Sequence, residues 1–279
     1  MKISVIIPNY NSQLLLQKNL PRVIAQSEGA EIIVVDDASD DDSVLFIKKN
    51  YPEVLVLEKK KNTGFSSTVN FGVKHAKGDL LIFLNSDVYP RQDYLQPLLP
   101  FFNRHDTFAV GMLQECYEHG RIVLRGAGAG EFKRGFLIHR RGDVNKNSTL
   151  WVSGGAGIFR KSVFLKLGGF REIYDPFYWE DIDLSYRAVK LGYKIYFERK
   201  SIVVHRQEDS SIRSKYTASR IKTIAYRNQF LFVWLNFKQP VNLLRHLLWL
   251  PLHLIKIKDK EFIRGLKEAL FCAKRLRLI

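Results

Sequence analysis

The sequence predicts an α/β protein whose mostly parallel central sheet is flanked by helices, with a basic helical extension at its C-terminal end. Three observations carry this. The first hundred residues alternate between strand-like and helical hydrophobic periods. The residues richest in chemistry fall just past the strand-like runs. Beyond His205 the composition turns basic and rich in Leu and Trp. Alternation of this kind reads as parallel strands joined by right-handed helical crossovers.

Short β-branched or continuously apolar runs at residues 3–7, 31–35, 54–57 and 80–84 predict strands buried on both faces. Helical patterns fill the gaps at 14–25, 43–49 and 66–76. Asp40, Asp41 or Asp42 is placed to cap the second helix, and Gly78 to end the third. After Phe102 the pattern is less regular. Strands are expected at 108–114 and 121–124, then a Gly- and Arg-rich loop or hairpin over 126–141. A strand over 151–160 opens with Gly154-Gly155. A helix over 161–167 closes at Gly168-Gly169 and another over 181–191 closes at Gly192. Segments 194–197 and 201–205 read as a final hairpin. The expected organisation is a domain over 1–205, its two halves meeting at about residue 103, then an extension over 206–279.

The chain has 279 residues, 46% hydrophobic and 26% charged, which excludes disordered, collagen-like and fibrous classes. Its net charge of +16 points to an anionic partner. Residues 206–279 hold sixteen basic and five acidic side chains, and so most of that charge. Cys116 and Cys272, far apart, fit a reducing compartment. The opening apolar run stops at Pro8, too short for a signal peptide, and the tail's apolar runs are about half of what a spanning helix needs. The expected location is cytoplasmic, without a membrane span.

Ligands of open α/β sheets bind beyond the carboxyl ends of the strands. There the sequence places Pro8-Asn9-Tyr10-Asn11, Asp36-Asp37 and Asn85-Ser86-Asp87. Neighbours on a strand face opposite ways, so one of Asp36 and Asp37 aims into the crevice and the other into its local turn. The two together also read as a capping cluster for the next helix. Asp87, at the tip of a buried strand, is placed to hold a hard divalent cation beside phosphates, or to close an Asx turn. Glu180, Asp181 and Asp183 begin a helix, whose first turn favours carboxylates in any case. Behind them Tyr178-Trp179 offers an aromatic wall against which an acid can serve as general base. Asp183 faces elsewhere and reads as local structure. His205, at a strand end, is either structural or the completion of a metal site begun by Asp87. The run Gly126-Ala127-Gly128-Ala129-Gly130 precedes no helix and is a poor dinucleotide fingerprint. There is no Walker motif and no Gly-x-Ser-x-Gly elbow.

In order, Ile6-Ile7-Pro8-Asn9-Tyr10-Asn11, Val34-Val35-Asp36-Asp37-Ala38-Ser39, Asn62-Thr63-Gly64-Phe65 with Asn70, and Leu84-Asn85-Ser86-Asp87 are followed by Ser153-Gly154-Gly155-Ala156. Gly168-Gly169-Phe170, Trp179-Glu180-Asp181-Ile182-Asp183-Leu184 with Arg187, Gly192-Tyr193 and His205 complete the string. It resembles the family-two inverting glycosyltransferases of GT-A fold, and within them the bacterial rhamnosyltransferase-like group that builds surface polysaccharides. The resemblance implies that Pro8, Asn9 and Tyr10 line the nucleotide pocket, Asp37 reads the base with Ser39 nearby, and Asn62, Gly64 and Asn70 form a wall. It also implies that Asp87 and His205 hold Mg²⁺ or Mn²⁺, that Gly154 and Gly155 let sugar and acceptor approach, and that Asp181 is the catalytic base with Glu180 orienting the substrates. Asn85, set among the donor residues, stands where the family's Asp-x-Asp motif carries its first Asp.

The implied partners are a nucleotide-diphosphate sugar and a glycan or lipid-diphosphate-linked acceptor, with Trp179 and Arg227 on the acceptor side. In the tail, apolar Trp-bearing segments at 230–235 and 243–257 are flanked by Lys and Arg. Such segments suit an anionic membrane surface, at the inner face of the plasma membrane, or a helical hairpin packed on the domain. No nucleic-acid-binding signature accompanies them. The alternative from another class is a non-catalytic sugar-nucleotide or glycan-binding module of the same fold. A nucleotidyltransferase is disfavoured because Pro8-Asn9-Tyr10-Asn11 is not a Gly-rich, basic loop.

Overall fold

The computed structural model describes residues 1–118, 120–205, 215–237, 240–256 and 259–275. Four parallel strands form its first half: β1 (Ile3–Asn9), β2 (Glu31–Asp36), β3 (Leu55–Glu58) and β4 (Leu80–Leu84), ordered β3-β2-β1-β4. The crossovers are α1 (Gln13–Gln26), α2 (Ser43–Asn50) and α3 (Phe65–His75). Their bounds match the predicted elements to within a residue or two, but β3, predicted to be buried on both faces, is an edge strand with Leu55 and Glu58 exposed. Gly78 differs: α3 ends before it, and a Cβ there would stand 2.5 Å from the Ser4 nitrogen of β1, so its role is close packing.

The second half makes the sheet mixed. β10 (Ala156–Arg160) runs antiparallel between β4 and β6 (Thr107–Glu118), and β11 (Lys194–His205) runs parallel to β6. β5 (Val88–Pro90) pairs antiparallel with β11, and β7 (Arg121–Arg125) with β6. Two predicted elements change here. Residues 151–155 lie outside β10, and the expected hairpin over 194–205 is one strand, bulged between Glu198 and Ile202. The bulge absorbs the polar run Glu198-Arg199-Lys200 without ending the pairing. β8 (Gly128–Lys133) and β9 (Phe136–Arg141) form a separate two-stranded sheet from the Gly- and Arg-rich segment.

Helices α4 (Lys161–Lys166) and α5 (Glu180–Lys190) complete this part, followed by α6 (Ala218–Asn236), α7 (Pro240–Lys256) and α8 (Lys260–Arg275). Two apolar clusters cover the two faces of the main sheet. A third joins Phe136 and Leu137 of β9, Trp179, Ile182 of α5, Phe230 to Val233 of α6 and Phe262 of α8. Residues on both sides of position 205 therefore share one core. Of the two apolar tail segments, 230–235 packs inward, with Phe230, Leu231, Phe232 and Val233 fully buried. Lys258 and Arg277, part of the predicted basic flank, lie outside the described residues. Among the described residues no helix is long and apolar enough to cross a membrane.

Because Phe232 fills this shared core against Trp179, Tyr186 and Phe237, Phe232→Ala is expected to lower stability by about 3–5 kcal/mol. Urea unfolding followed by tryptophan fluorescence measures the loss.

Candidate active site

The carboxyl ends of β1, β2 and β4 converge on a cleft with about 720 Å³ of empty space, continuous with solvent. Pro8, Asn9, Tyr10, Asp37, Asn62, Gly64, Asn85 and Asp87 line it, as the sequence predicts for donor and metal residues. Phe65, Thr68, Ser86, Pro176, Phe177, Lys215 and Tyr216 complete the lining.

The two aspartates after β2 divide as strand geometry requires. Asp36 turns to its own loop, taking hydrogen bonds from Asn9 Nδ2 at 2.7 Å, from Ser39 N at 2.9 Å and from Ser39 Oγ at 2.6 Å. Asp37 faces the cleft. It accepts from the Gly64 amide at 2.8 Å and the Thr63 amide at 3.0 Å, and pairs with Lys59 at 2.7 Å. Ser39 lies behind the wall, its hydroxyl donating to Asp36 and accepting from Asn11 N. Asn70 also stands behind it, bonding both ways to the Phe170 backbone.

The rim opposite is held by Asp175, which the sequence reading missed. Its carboxylate takes the Ser66 amide at 2.7 Å and the Ser67 amide at 3.3 Å, capping the N-terminus of α3 from a distant part of the chain. Burial raises the Asp175 carboxyl to about 6, and the two serine amides pull the other way. Gly64 has φ +102°, and a Cβ on it would meet Asp175 and Pro176 at 2.8 Å, so only glycine fits. The one sequence signal for this joint is the Asp-Pro pair itself. Lys215 is the other omission. Its Nζ stands 3.9 Å from the centre of the Tyr10 ring, which puts an ammonium on the cleft wall.

β11 pairs with β5 so that His205 comes opposite Val88. His205 Nε2 then lies 3.2 Å from Asp87 Oδ2, and Nδ1 3.3 Å from Gln114 Oε1. Burial disfavours the imidazolium, but Asp87 and Cys116 outweigh it and push His205 up to about 9. Asp87 Oδ1 is buried without a hydrogen-bond partner, leaving lone pairs free for a cation. Among the described residues no group of three or more His, Cys, Asp and Glu surrounds a common point. The free Asp87 oxygen fits a hard cation shared with phosphate oxygens, and His205 joins it as a ligand only on giving up the proton that Asp87 and Cys116 hold on it.

Asp181 and Glu180 open α5 after Tyr178 and Trp179, both in the left-handed region at φ 72° and 79°. Two bulky residues in that conformation need external support. It comes from α6. Asn228 Nδ2 donates to the carbonyls of Tyr174, Phe177 and Tyr178 at 2.8, 2.9 and 2.8 Å. Arg227 donates to the carbonyls of Tyr174 at 3.2 Å and Asp175 at 2.5 Å. Arg227 and Trp179 are both buried, so neither lies in the cleft where the acceptor reading put them. Asp183 is fully buried among Arg171, Arg187, Tyr174 and Asn236, a structural hub as its helix face implies.

Asp181 is half-buried and accepts from the Gly154 amide at 3.4 Å and the Ile182 amide at 2.8 Å. Burial lifts its carboxyl to about 6, with those amides opposing. Glu180 is pushed further, first by burial and then by the charge of Asp181, and its Oε2 has no hydrogen-bond partner. Burial thus raises both carboxyls of the pair, and that of Glu180 the further. Gly155 links this pair to the cleft: a Cβ on it would stand 2.4 Å from the Asn85 side chain, and its carbonyl accepts the Asn85 amide at 3.1 Å.

Residues 4–168 match the family profile described as Glycosyl transferase family 2, more than half of the chain. The chain belongs to glycosyl transferase family 2. This family 2 protein is 37% identical over 108 residues to the minor teichoic acid biosynthesis protein GgaB of Bacillus subtilis (strain 168), covering 37% of the chain and 12% of GgaB. It is 24% identical over 210 residues to the O-antigen chain rhamnosyltransferase RfbN of Salmonella typhimurium (strain LT2), covering 74% of the chain and 66% of RfbN. The chain therefore spans only part of these curated relatives. The mannosyltransferase PcManGT of Pyrobaculum calidifontis, solved with GDP-Man and Mn²⁺, superposes with a TM-score of 0.59 at 17% identity, covering 98% of the chain and 75% of PcManGT. That likeness is one of fold, and the fold is GT-A.

The clamp on the 174–179 loop gives a prediction. Asn228→Ala removes the donor held on the Phe177 and Tyr178 carbonyls and one of two on that of Tyr174, and is expected to cost about 2–3 kcal/mol of stability, measured by urea unfolding.

Proposed function

We propose that this family 2 chain is an inverting glycosyltransferase. It moves a sugar from a nucleotide-diphosphate donor to a hydroxyl of a glycan or lipid-diphosphate-linked acceptor during bacterial surface-polysaccharide synthesis. The observation that carries the reading is Asp181, a carboxylate ionised near neutral pH and tied through Gly154 and Gly155 to the Asn85–Asp87 wall of the cleft. A pure binder needs no such base. The teichoic acid and O-antigen contexts named for the two relatives support the polysaccharide setting. A lipid-linked acceptor places the work at the inner face of a membrane.

In this reading Pro8, Asn9, Tyr10, Asp37 and Asn62 hold the nucleotide, and the Lys215 ammonium faces its phosphates. Asp87 and His205 would hold Mg²⁺ or Mn²⁺, which when bound offsets the charge gathering on the leaving diphosphate. Asp181 takes the proton of the acceptor hydroxyl as that oxygen bonds to the anomeric carbon. The bond from that carbon to the diphosphate oxygen breaks on the opposite face, so the anomeric configuration inverts. Glu180, beside Asp181, orients the sugar or the acceptor. Trp179 and Arg227 position the loop that presents these two acids and do not touch the acceptor.

Thermal shifts with UDP, dTDP, GDP and CDP, each with and without Mn²⁺, should show one nucleotide stabilising the protein in a metal-dependent way. A flat panel would contradict a nucleotide-sugar donor. Asp181→Asn should lower transfer by about 10²–10⁴-fold while the nucleotide shift persists; lost nucleotide binding would move Asp181 to a structural role. The same base predicts the pH profile. Asp181 must be ionised to accept a proton, so kcat/KM should fall as the pH drops below about 6 and level off above it. Asp87→Ala should abolish the Mn²⁺ contribution to nucleotide binding, and an unchanged metal titration would rule out its assignment.

A further inference from the structure

Helix α7 presents an apolar face that none of the described residues covers. Its buried side is set by His246, Leu250 and His253, spaced by four and three residues. His246 is fully buried, bonded to the Gly135 carbonyl at 2.9 Å and to Trp234 Nε1 at 3.2 Å. His253 meets the Arg134 carbonyl at 3.0 Å. A Cβ on Gly135 would lie 2.6 Å from the His246 backbone, so the β8–β9 turn is fitted to the helix and fixes which side faces in. At 100° per residue, the opposite half of the helix carries Leu244, Leu247, Leu248, Leu252 and Ile255, between 43% and 77% exposed. No acidic residue occurs in α7, and its one arginine, Arg245, flanks this arc.

The next helix supplies the charge. On α8 the inward positions are Phe262, Gly265, Ala269 and Ala273. Lys260, Arg264, Lys267 and Lys274 recur at helical spacing on the other side, with Phe271 among them at 71% exposure. The acids Glu261 and Glu268 are turned aside, bonded to Ser219 and Arg220 of α6. An apolar half-cylinder about 25 Å long beside a basic stripe is complementary to acyl chains beneath anionic headgroups.

We propose that α7 lies in the plane of an anionic bilayer surface with its leucine face inserted, and that the α8 stripe binds the lipid phosphates. This rests on the membrane setting of the proposed function and names the element that makes the contact. Segment 230–235 takes no part, because its side chains fill the core.

The test is flotation of the full chain with phosphatidylcholine vesicles and with vesicles of phosphatidylcholine and phosphatidylglycerol at about 7:3. Binding to the anionic vesicles is expected, weakening as salt rises. The double variant Leu244→Glu/Leu248→Glu, on exposed positions, should lose at least tenfold in partitioning, with an unchanged unfolding midpoint. Lys260→Glu/Lys267→Glu should lose the preference for phosphatidylglycerol. Absence of wild-type flotation, or equal flotation by Leu244→Glu/Leu248→Glu, overturns the inference. So does a dimer in light scattering that Leu244→Glu/Leu248→Glu dissolves, since a second copy would then cover the face. Nucleotide thermal shifts on the same samples keep the two readings apart: flotation lost with the shifts intact defeats the membrane contact and leaves the transferase standing.

Discussion

Arg227 and Asn228 hold the carbonyls of the loop between Tyr174 and Tyr178, and much of the site rests on that contact. The loop is costly to form. Tyr178 and Trp179 both sit in the left-handed region, where side chains crowd the backbone. Its exposed carbonyls would be buried unpaired without donors from α6. One end of the loop, Asp175, caps α3 beneath the donor cleft. The other end starts α5 and sets Asp181 and Glu180 at its first turn. A single contact between the tail and the main sheet therefore positions both the wall of the cleft and the carboxyl pair that we propose as its catalytic groups.

The same contact explains why the helical tail shares a core with the catalytic sheet. Phe230 to Val233, Trp179 and Phe136 bury one another, and α8 closes over α6 through Phe262, Gly265 and Ala269. With that face of α6 used internally, only α7 and the outer side of α8 are left to meet another surface.

The electrostatics of the site follow from how each carboxylate is placed. Asp36 and Asp37 are neighbours on a strand, yet one is spent on its own turn and the other joins Lys59 and two amides at the cleft. Glu180 and Asp181 are neighbours on a helix. Burial raises both carboxyls and falls harder on Glu180, whose Oε2 has no hydrogen-bond partner, than on Asp181, which has two amides. Asp183, two residues on, is neutralised by Arg171 and Arg187 and does no chemistry.

Local periodicity determined the strands and helices of the first half, because an apolar run of five or an amphipathic turn is read within its own window. The rule that ligands gather at strand ends then brought Asn9, Asp37, Asn85 and Asp87 to one place, and the cleft lies there. Periodicity was silent wherever a residue's partner lies far along the chain. It could not show that Asp175 caps a helix about a hundred residues earlier, or that Lys215 comes to rest on Tyr10. Nor could it show that Gly155 is small for Asn85, or that Arg227 and Trp179 serve the loop from inside the core. The two apolar tail segments look alike in composition, and only tertiary packing separated the one that fills the core from the one that faces out. Hydrophobicity specifies that a face will be covered; the arrangement of the other elements decides what covers it.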